Sequence, residues 1–213
     1  MDRGGCLQKS VNENACHLHF PKRMSRDVHD ELRNAVQIGD LQLVRTLLEW
    51  CDPRADNNYA VACASRNGHV KVVRTLLAWR GPRGEWCDPR AMAFRWASLN
   101  GHVNVVRALL VWRGPHNEWC DPRADTIVLP IQWASHKGHV EVVRALLAWR
   151  GLNNEWRDPR ACDNYAVKWV AEGGHVDVVR ALLAWRGPSG EWRDSRADHN
   201  YRGYANLLPP LIT

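Results

Sequence analysis

The chain has 213 residues, of which 45% are apolar and 24% charged, so it can bury a core and is not disordered by composition. Its longest apolar runs are much shorter than the ~18 residues of a membrane span, which excludes a transmembrane protein. The first ten residues lack the apolar segment of a secretory signal, so we expect an intracellular protein, cytoplasmic by default.

Charge and cysteine content leave the class of partner open. The net charge of +6 comes from 24 Arg and only 5 Lys, and a positive balance can indicate an acidic partner such as nucleic acid. The seven cysteines are an odd number without a Cys-x-x-Cys pair, which is typical of reduced thiols in a reducing compartment.

An internal repeat organises most of the sequence. Gly-His-Val begins at positions 68, 101, 138 and 174, and Asp-Pro-Arg begins at positions 52, 88, 121 and 158. A period between 33 and 37 residues is typical of a stacked array. All 12 Trp and 14 of the 24 Arg fall in repeat columns, so most of the positive charge follows from copying of the repeat.

In chain order, we expect residues 1–26 to form a disordered tail and residues 27–51 to form an N-terminal capping repeat. Four full repeats follow, and a half repeat and a short C-terminal tail end the chain. The boundaries are 52–87, 88–120, 121–157 and 158–193 for the full repeats, 194–208 for the half repeat and 209–213 for the tail.

Each full repeat is predicted to contain two short antiparallel helices and a long loop. In the second repeat, Tyr59 to Ser65 would form the first helix, with Asp56 or Asn57 as its N-cap. A left-handed Gly68 would end it. The second helix would bury a stripe at Val70, Val73, Leu76 and Leu77. Gly81 and Pro82 would end that helix in the same left-handed way.

This pattern resembles the ankyrin repeat, whose core reads Thr-Pro-Leu-His-x-Ala-Ala-x-x-Gly-His-x-x-Val-Val-x-x-Leu-Leu. The fourth repeat carries the likeness from Pro130-Ile131 through Ala134-Ser135 and Gly138-His139 to Leu146-Leu147. The resemblance covers residues 27–208 and implies an all-α helix-turn-helix solenoid. The Asp-Asn-Tyr-Ala variant is similar to repeats from amoebae and their large DNA viruses, which for a viral protein implies the host cytoplasm.

The resemblance also implies where a partner would bind. In such solenoids, partners contact the two residues before each Gly-His pair and the loop tips on the concave side. The first set here is Arg66, Asn67, Leu99, Asn100, His136, Lys137 and Glu172. The loop-tip candidates are Arg83, Trp86, His116, Asn117, Trp119, Asn153 and Trp156. Their mixed chemistry suits a protein better than a phosphate backbone, which favours a continuous positive track.

The remaining tryptophans and the Asp-Pro-Arg column allow structural interpretations. We expect Trp96, Trp133 and Trp169 to be buried in the first helices. Trp86 and its equivalents could either staple the loops to the next repeat or stand exposed as binding anchors, and we favour the staple. We also expect an Asp of one repeat to face an Arg of the next along the Asp-Pro-Arg column.

Catalytic and metal chemistry have weak signals. The sequence contains no nucleophile elbow, phosphate-binding loop or His-Glu-x-x-His motif, so we expect no enzyme and no cofactor. The Gly-His histidines belong to separate repeats, too far apart to share a zinc ion. The cluster of Cys6, Cys16, His17 and His19 has no standard metal spacing.

The sequence therefore favours a monomeric, non-catalytic module that presents a rigid concave surface to an unidentified protein partner. The alternative is a nucleic-acid binder that uses Arg and exposed Trp. We consider nucleic acid the less favoured partner.

Overall fold

The computed structural model describes residues 22–89, 92–118, 120, 130–150, 170 and 173–185. Within these residues the chain forms α-helices and no β-strand, as predicted for an all-α fold. The helices are α1 (Lys22–Ile38), α2 (Leu41–Leu47), α3 (Ala55–Arg66), α4 (Val70–Ala78), α5 (Met92–Leu99), α6 (Val103–Val111), α7 (Pro130–His136), α8 (Val140–Ala148) and α9 (Val176–Ala184).

The helices stack in single file. Four helix-turn-helix pairs, α1/α2, α3/α4, α5/α6 and α7/α8, pack internally, and the first helices α1, α3, α5 and α7 pack in sequence. The second helices α2, α4, α6, α8 and α9 form a parallel row. Extensive contacts among these helices stay within a pair or between adjacent pairs. This arrangement confirms the predicted solenoid, in which helices too short to be stable alone gain stability from their neighbours.

Burial on the second helices is wider than the predicted stripe. Val73, Leu76 and Leu77 are buried in α4 as expected, whereas Val70 is half-buried. Val72, which the stripe omitted, is also buried. The reason is that each internal second helix contacts its own first helix and a second helix on either side, so more than one face is covered.

The turn between the two helices of a pair follows the prediction. Gly68 has φ +77°, in the left-handed region, and the amide of His69 donates to the Ala64 carbonyl at 3.0 Å. Gly39, Gly101 and Gly138 adopt the same conformation at the equivalent turns. At the N-terminal end, α1 begins at Lys22, five residues before the predicted start of the first repeat.

The end of the second helix differs from the prediction. Gly81 is not among the described residues with positive φ. The helix α4 instead ends at Ala78, and its C-cap residue Trp79 has an extended backbone with φ −60° and ψ 140°. The Arg80 guanidinium then donates to the carbonyls of Leu77 at 3.0 Å and Trp79 at 2.7 Å. Since the side chain satisfies the helix-end carbonyls, a left-handed glycine is not needed. Equivalent bonds are made by Arg113 and Arg150.

The predicted N-cap of α3 is also wrong. Asp56, Asn57 and Asn58 have φ between 52° and 61°, so they form a short left-handed turn, and α3 has no side-chain N-cap. Asp56 instead forms an ion pair with Arg33 on α1. Asn58 accepts a hydrogen bond from the amide of Asp88 in the next repeat, at 3.2 Å. The turn therefore joins three successive repeats.

In the described part of the chain, no helix is both long and apolar enough to cross a membrane.

Candidate functional site

The residue pairs before the Gly-His turns form one row of surface side chains. We call the described members of this row the turn face. Five of the six are exposed, and Leu99 is half-buried. The members are Arg66, Asn67, Leu99, Asn100, His136 and Lys137. The predicted Glu172 lies outside the described residues.

The Gly-His histidines hold the turn face in register. The Nε2 of His102 donates to the Arg66 carbonyl at 2.9 Å, and that of His139 donates to the Leu99 carbonyl at 3.1 Å. His69 and His175 bond in the same way to the carbonyls of Gln37 and His136. Because a carbonyl can only accept, Nε2 carries the proton in each ring. Each histidine therefore joins its repeat to the preceding one through backbone, whatever side chain the preceding residue carries.

Glycine is required beside each of these rings. A Cβ on Gly68 would lie 2.6 Å from Nδ1 of His102, and one on Gly101 would lie 2.6 Å from Nδ1 of His139. These distances are far inside van der Waals contact, so any larger residue would displace the ring. The glycine thus has two functions: it turns the chain and leaves space for the histidine of the next repeat.

Two tryptophans that we expected in the core border the turn face instead. Trp96 and Trp133 are half-buried, and each lies one helical turn before an exposed residue of the turn face. The Arg66 guanidinium lies 4.8 Å from the Trp96 ring centre, and the Arg95 guanidinium lies 5.2 Å from that of Trp133. The prediction of burial is therefore correct only in part for these two residues, and Trp169 lies outside the described residues. The arrangement places alternating aromatic and cationic groups beside the turn face.

The loop tips have a defined backbone built around a glutamate. The Glu85 carboxylate accepts the Arg83 amide at 2.9 Å, and Glu118 accepts the His116 amide at the same distance. Hydrogen bonds from its own amide and from that of Arg83 lower the pKa of Glu85. Asn117 has φ +65° and Gly84, its equivalent, has φ +81°. The left-handed backbone therefore explains why glycine and asparagine occupy this position.

At the tips, predicted contact residues are exposed while the tryptophan is half-buried. The Arg83 side chain is 90% exposed, and His116 and Asn117 are also exposed. The ring of Trp86 meets His116 of the next loop edge to face, with centres 5.4 Å apart. Trp86 therefore joins its loop to the next repeat, as the favoured staple interpretation predicted. The other predicted loop-tip residues, Trp119, Asn153 and Trp156, lie outside the described residues.

In the copy of Asp-Pro-Arg that the structure describes, the Asp and the Arg pair with each other and do not form the predicted ladder between repeats. Asp52 accepts the Arg54 Nε at 2.9 Å and pairs with its Nη2 at 2.5 Å. This hydrogen bond to Arg54 lowers the pKa of Asp52. Arg54 Nη2 also lies 3.7 Å from the Glu85 carboxylate, and its guanidinium lies 5.9 Å from the Trp79 ring centre. The tripeptide is therefore a clasp that connects the start of the repeat to its own loop.

Sequence reasoning missed the structural roles of Arg80, Glu85 and Asn58. A signal was present, since the motif Trp-Arg-Gly-Pro-x-x-Glu-Trp places an Arg and a Glu at fixed positions in each loop that carries it. Among the described residues, no group of three or more His, Cys, Asp or Glu side chains has the arrangement of a metal site. The chemistry of this surface is hydrogen bonding, charge and aromatic contact.

Comparison with known proteins supports the same fold. The sequence profile of a family described as ankyrin repeats (3 copies) matches residues 32–119 and 94–191. A search of curated proteins finds no match. The two matched ranges span most of the chain, and they include the four Gly-His turns and all of the described helices except the part of α1 before residue 32. The chain therefore belongs to the ankyrin repeat family.

Proposed function

We infer that this protein is a non-catalytic binding module whose turn face and loop tips contact a protein partner. Ankyrin repeats generally mediate protein–protein interaction, and the family assignment supports this class of function. The observation that carries the proposal is the separation of roles at each turn. The backbone carbonyls of Arg66 and Leu99, and not their side chains, accept the histidine bonds that join the repeats, so the side chains at these positions can vary for recognition without loss of the stacking contact.

The chemistry of the turn face resembles that of protein interfaces. Trp and Arg dominate binding energy at such interfaces, and here Arg66 and Arg95 pack on the rings of Trp96 and Trp133. These side chains are already ordered by their stacking, so their docking would cost less conformational entropy than that of free side chains. Specificity would come from the residues that vary between repeats, Asn67, Asn100 and Lys137 among them.

Nucleic acid is a weaker candidate because many arginines are engaged within the fold. Arg80, Arg113 and Arg150 hold helix-end carbonyls, and Arg54 is paired with Asp52. A protein that binds a phosphate backbone needs several free cations along one track. On the turn face, two described cations, Arg66 and Lys137, are separated by the uncharged pair Leu99 and Asn100.

The test is affinity capture with two variants of equal net charge. Arg66→Gln with Lys137→Gln removes two cations from the turn face. Arg144→Gln with Arg180→Gln removes two from the exposed side of the second helices α8 and α9, and we call this the outer-face variant. We expect the wild type and the outer-face variant to capture the same proteins from a nuclease-treated extract of the source organism. The turn-face variant should lose them.

Capture by all three proteins alike would contradict the assignment of the turn face. Capture that disappears on nuclease treatment, with affinity that falls steeply with salt, would indicate the nucleic-acid alternative. The four substituted side chains are exposed, so both variants should fold like the wild type. Circular dichroism of both variants checks this.

A further inference from the structure

A second charged surface lies on the second helices, away from the turn face. The residue that follows the Val-Val pair or its equivalent is an exposed arginine in each of α2, α4, α6, α8 and α9. We call these residues the arginine row: Arg45, Arg74, Arg107, Arg144 and Arg180. Because these helices pack side by side, neighbouring members stand ~8–10 Å apart.

The two halves of the arginine row differ in their neighbours. Arg144 is paired with Glu141 at 2.7 Å, and Arg180 is paired with Asp177 at 3.5 Å, in both cases one turn earlier on the same helix. The corresponding positions in α2, α4 and α6 are Gln42, Lys71 and Asn104. The charge is therefore balanced in the last two helices and unbalanced in the first three.

The unbalanced cations make no ion pair within the described part of the chain. No carboxylate there lies within 4.0 Å of Arg45, Arg74 or Arg107, although Glu49 follows Arg45 by four residues. All three guanidinium groups are on exposed side chains and none is used to end a helix, in contrast to Arg80 and Arg113. Together with Lys71 they form a positive track that the fold itself does not use.

We propose that this track binds an extended acidic segment of a protein partner, with a carboxylate at every third residue. An extended chain rises ~3.3 Å per residue, so every third side chain recurs at ~10 Å, which matches the distance between neighbouring second helices. Each guanidinium can bind a carboxylate through two parallel hydrogen bonds. The site lies on a different face from the turn face, so it does not depend on the function proposed above.

The shape of the track favours an acidic peptide over nucleic acid. Its three arginines span only ~20 Å, and Glu141 and Asp177 would repel a phosphate backbone that continued past Arg107. Proteins that bind duplex DNA through its backbone make about 6–10 phosphate contacts, more than this track offers. The second helices themselves, as the structure describes them, contain no aromatic side chain, which single-stranded nucleic acid would use for stacking.

The experiment uses two synthetic peptides of the same composition and the full chain. One fluorescent peptide contains three Glu-Ser-Ser units, and the other contains three adjacent Glu followed by the same serines. Binding is followed by fluorescence anisotropy at ~0.01 M salt, where screening is weak. The variant Arg45→Gln/Arg74→Gln/Arg107→Gln is compared with the wild type and with the outer-face variant Arg144→Gln/Arg180→Gln.

We expect the spaced peptide to bind the wild type more tightly than the clustered peptide does. The triple variant should lose at least tenfold in affinity, or ~1.4 kcal/mol, whereas the outer-face variant should change less than twofold. Equal losses in both variants, equal affinity for both peptides, or absence of binding would overturn the proposal. Tighter binding of duplex DNA or RNA at the same salt would overturn the assignment of the partner. The turn-face variant should bind the spaced peptide normally, which separates failure of this site from failure of the turn face.

Discussion

Substitution of Gly101 by Ala tests the contact between the turn glycine and the histidine of the next repeat. The new Cβ would lie 2.6 Å from Nδ1 of His139, so the ring must move and its hydrogen bond to Leu99 weakens. Loss of that bond costs ~0.5–1.5 kcal/mol. The φ of +76° adds ~1–2 kcal/mol for any residue with a Cβ. We expect a loss of about 2–3 kcal/mol in the free energy of unfolding.

Gly84→Ala is the matched control for backbone strain. Gly84 has φ +81°, and no described atom lies within 4 Å of the position of its Cβ. This variant should therefore lose only the ~1–2 kcal/mol of the left-handed conformation. Urea denaturation followed by circular dichroism at 222 nm measures both values, and the difference between them is the contribution of the histidine contact.

A double-mutant cycle with His139→Ala identifies the contact itself. Without the imidazole, the Cβ at position 101 has room, so Gly101→Ala should cost no more than Gly84→Ala. Equal destabilisation by the two single glycine variants would refute the reasoning. The same conclusion would follow if the cost of Gly101→Ala were unchanged in the His139→Ala background.

Three further predictions concern the surface, the core and the thiols. Lys137→Glu, at an exposed position, should change the free energy of unfolding by less than ~0.5 kcal/mol. Leu109→Ala, at a fully buried position, should lower it by ~2–5 kcal/mol in the same urea titration. Ser98→Ala should leave the thermal midpoint unchanged or raise it, because the buried Oγ has no hydrogen-bond partner among the described residues. A serine in place of the neighbouring buried Ala97 should lower the midpoint. Burial and the adjacent Asp52 raise the pKa of Cys51 to about 11, so its thiolate is ~100-fold rarer at pH 8 than for an ordinary thiol. Alkylation mapped by mass spectrometry should show slow labelling of Cys51 in the native state and fast labelling in urea.

The repeat sequence was sufficient to predict the helix pairs, their turns and much of their burial. Gly68 at the end of α3 and the buried Val73, Leu76 and Leu77 follow from local rules, since the conformation of glycine and the period of a helix do not depend on distant residues. The exposure of Arg66 and Lys137 followed from the family resemblance. These features confirm the solenoid and the positions of the turns.

The position of Trp96 could not be taken from its column alone. Phe94, Ala97 and Ser98 are buried at spacings that define one helix face, and Trp96 is two residues, or ~200°, from Phe94. Its ring therefore lies at the edge of the core, where Arg66 of the preceding repeat covers it. The angle around the helix axis between Trp96 and its buried neighbours therefore predicts its burial better than the apolar repeat column in which it stands.

The loop contacts were unpredictable for a different reason. Asp52 could pair with an arginine of its own repeat or of the next, and sequence spacing does not distinguish the two. Asp52 and Arg54 are two residues apart, and the Arg54 amide also donates to the Asp52 carboxylate at 2.9 Å, so the local backbone favours the internal pair.

The first turn of the array shows why the histidine column occurs at all. Each histidine of this column is the N-cap residue of a second helix, but its side chain does not cap that helix. Its ring instead forms a hydrogen bond with a backbone carbonyl of the preceding repeat; the four residues are His69, His102, His139 and His175. The first helix pair has no such preceding carbonyl among the described residues, and Asp40 occupies the same position. Its carboxylate accepts the amides of Gln42 and Leu43 at 3.1 and 3.0 Å, which caps α2. One position in the repeat thus stabilises either the helix that it begins, as Asp40 does, or the contact with the preceding repeat, as the four histidines do.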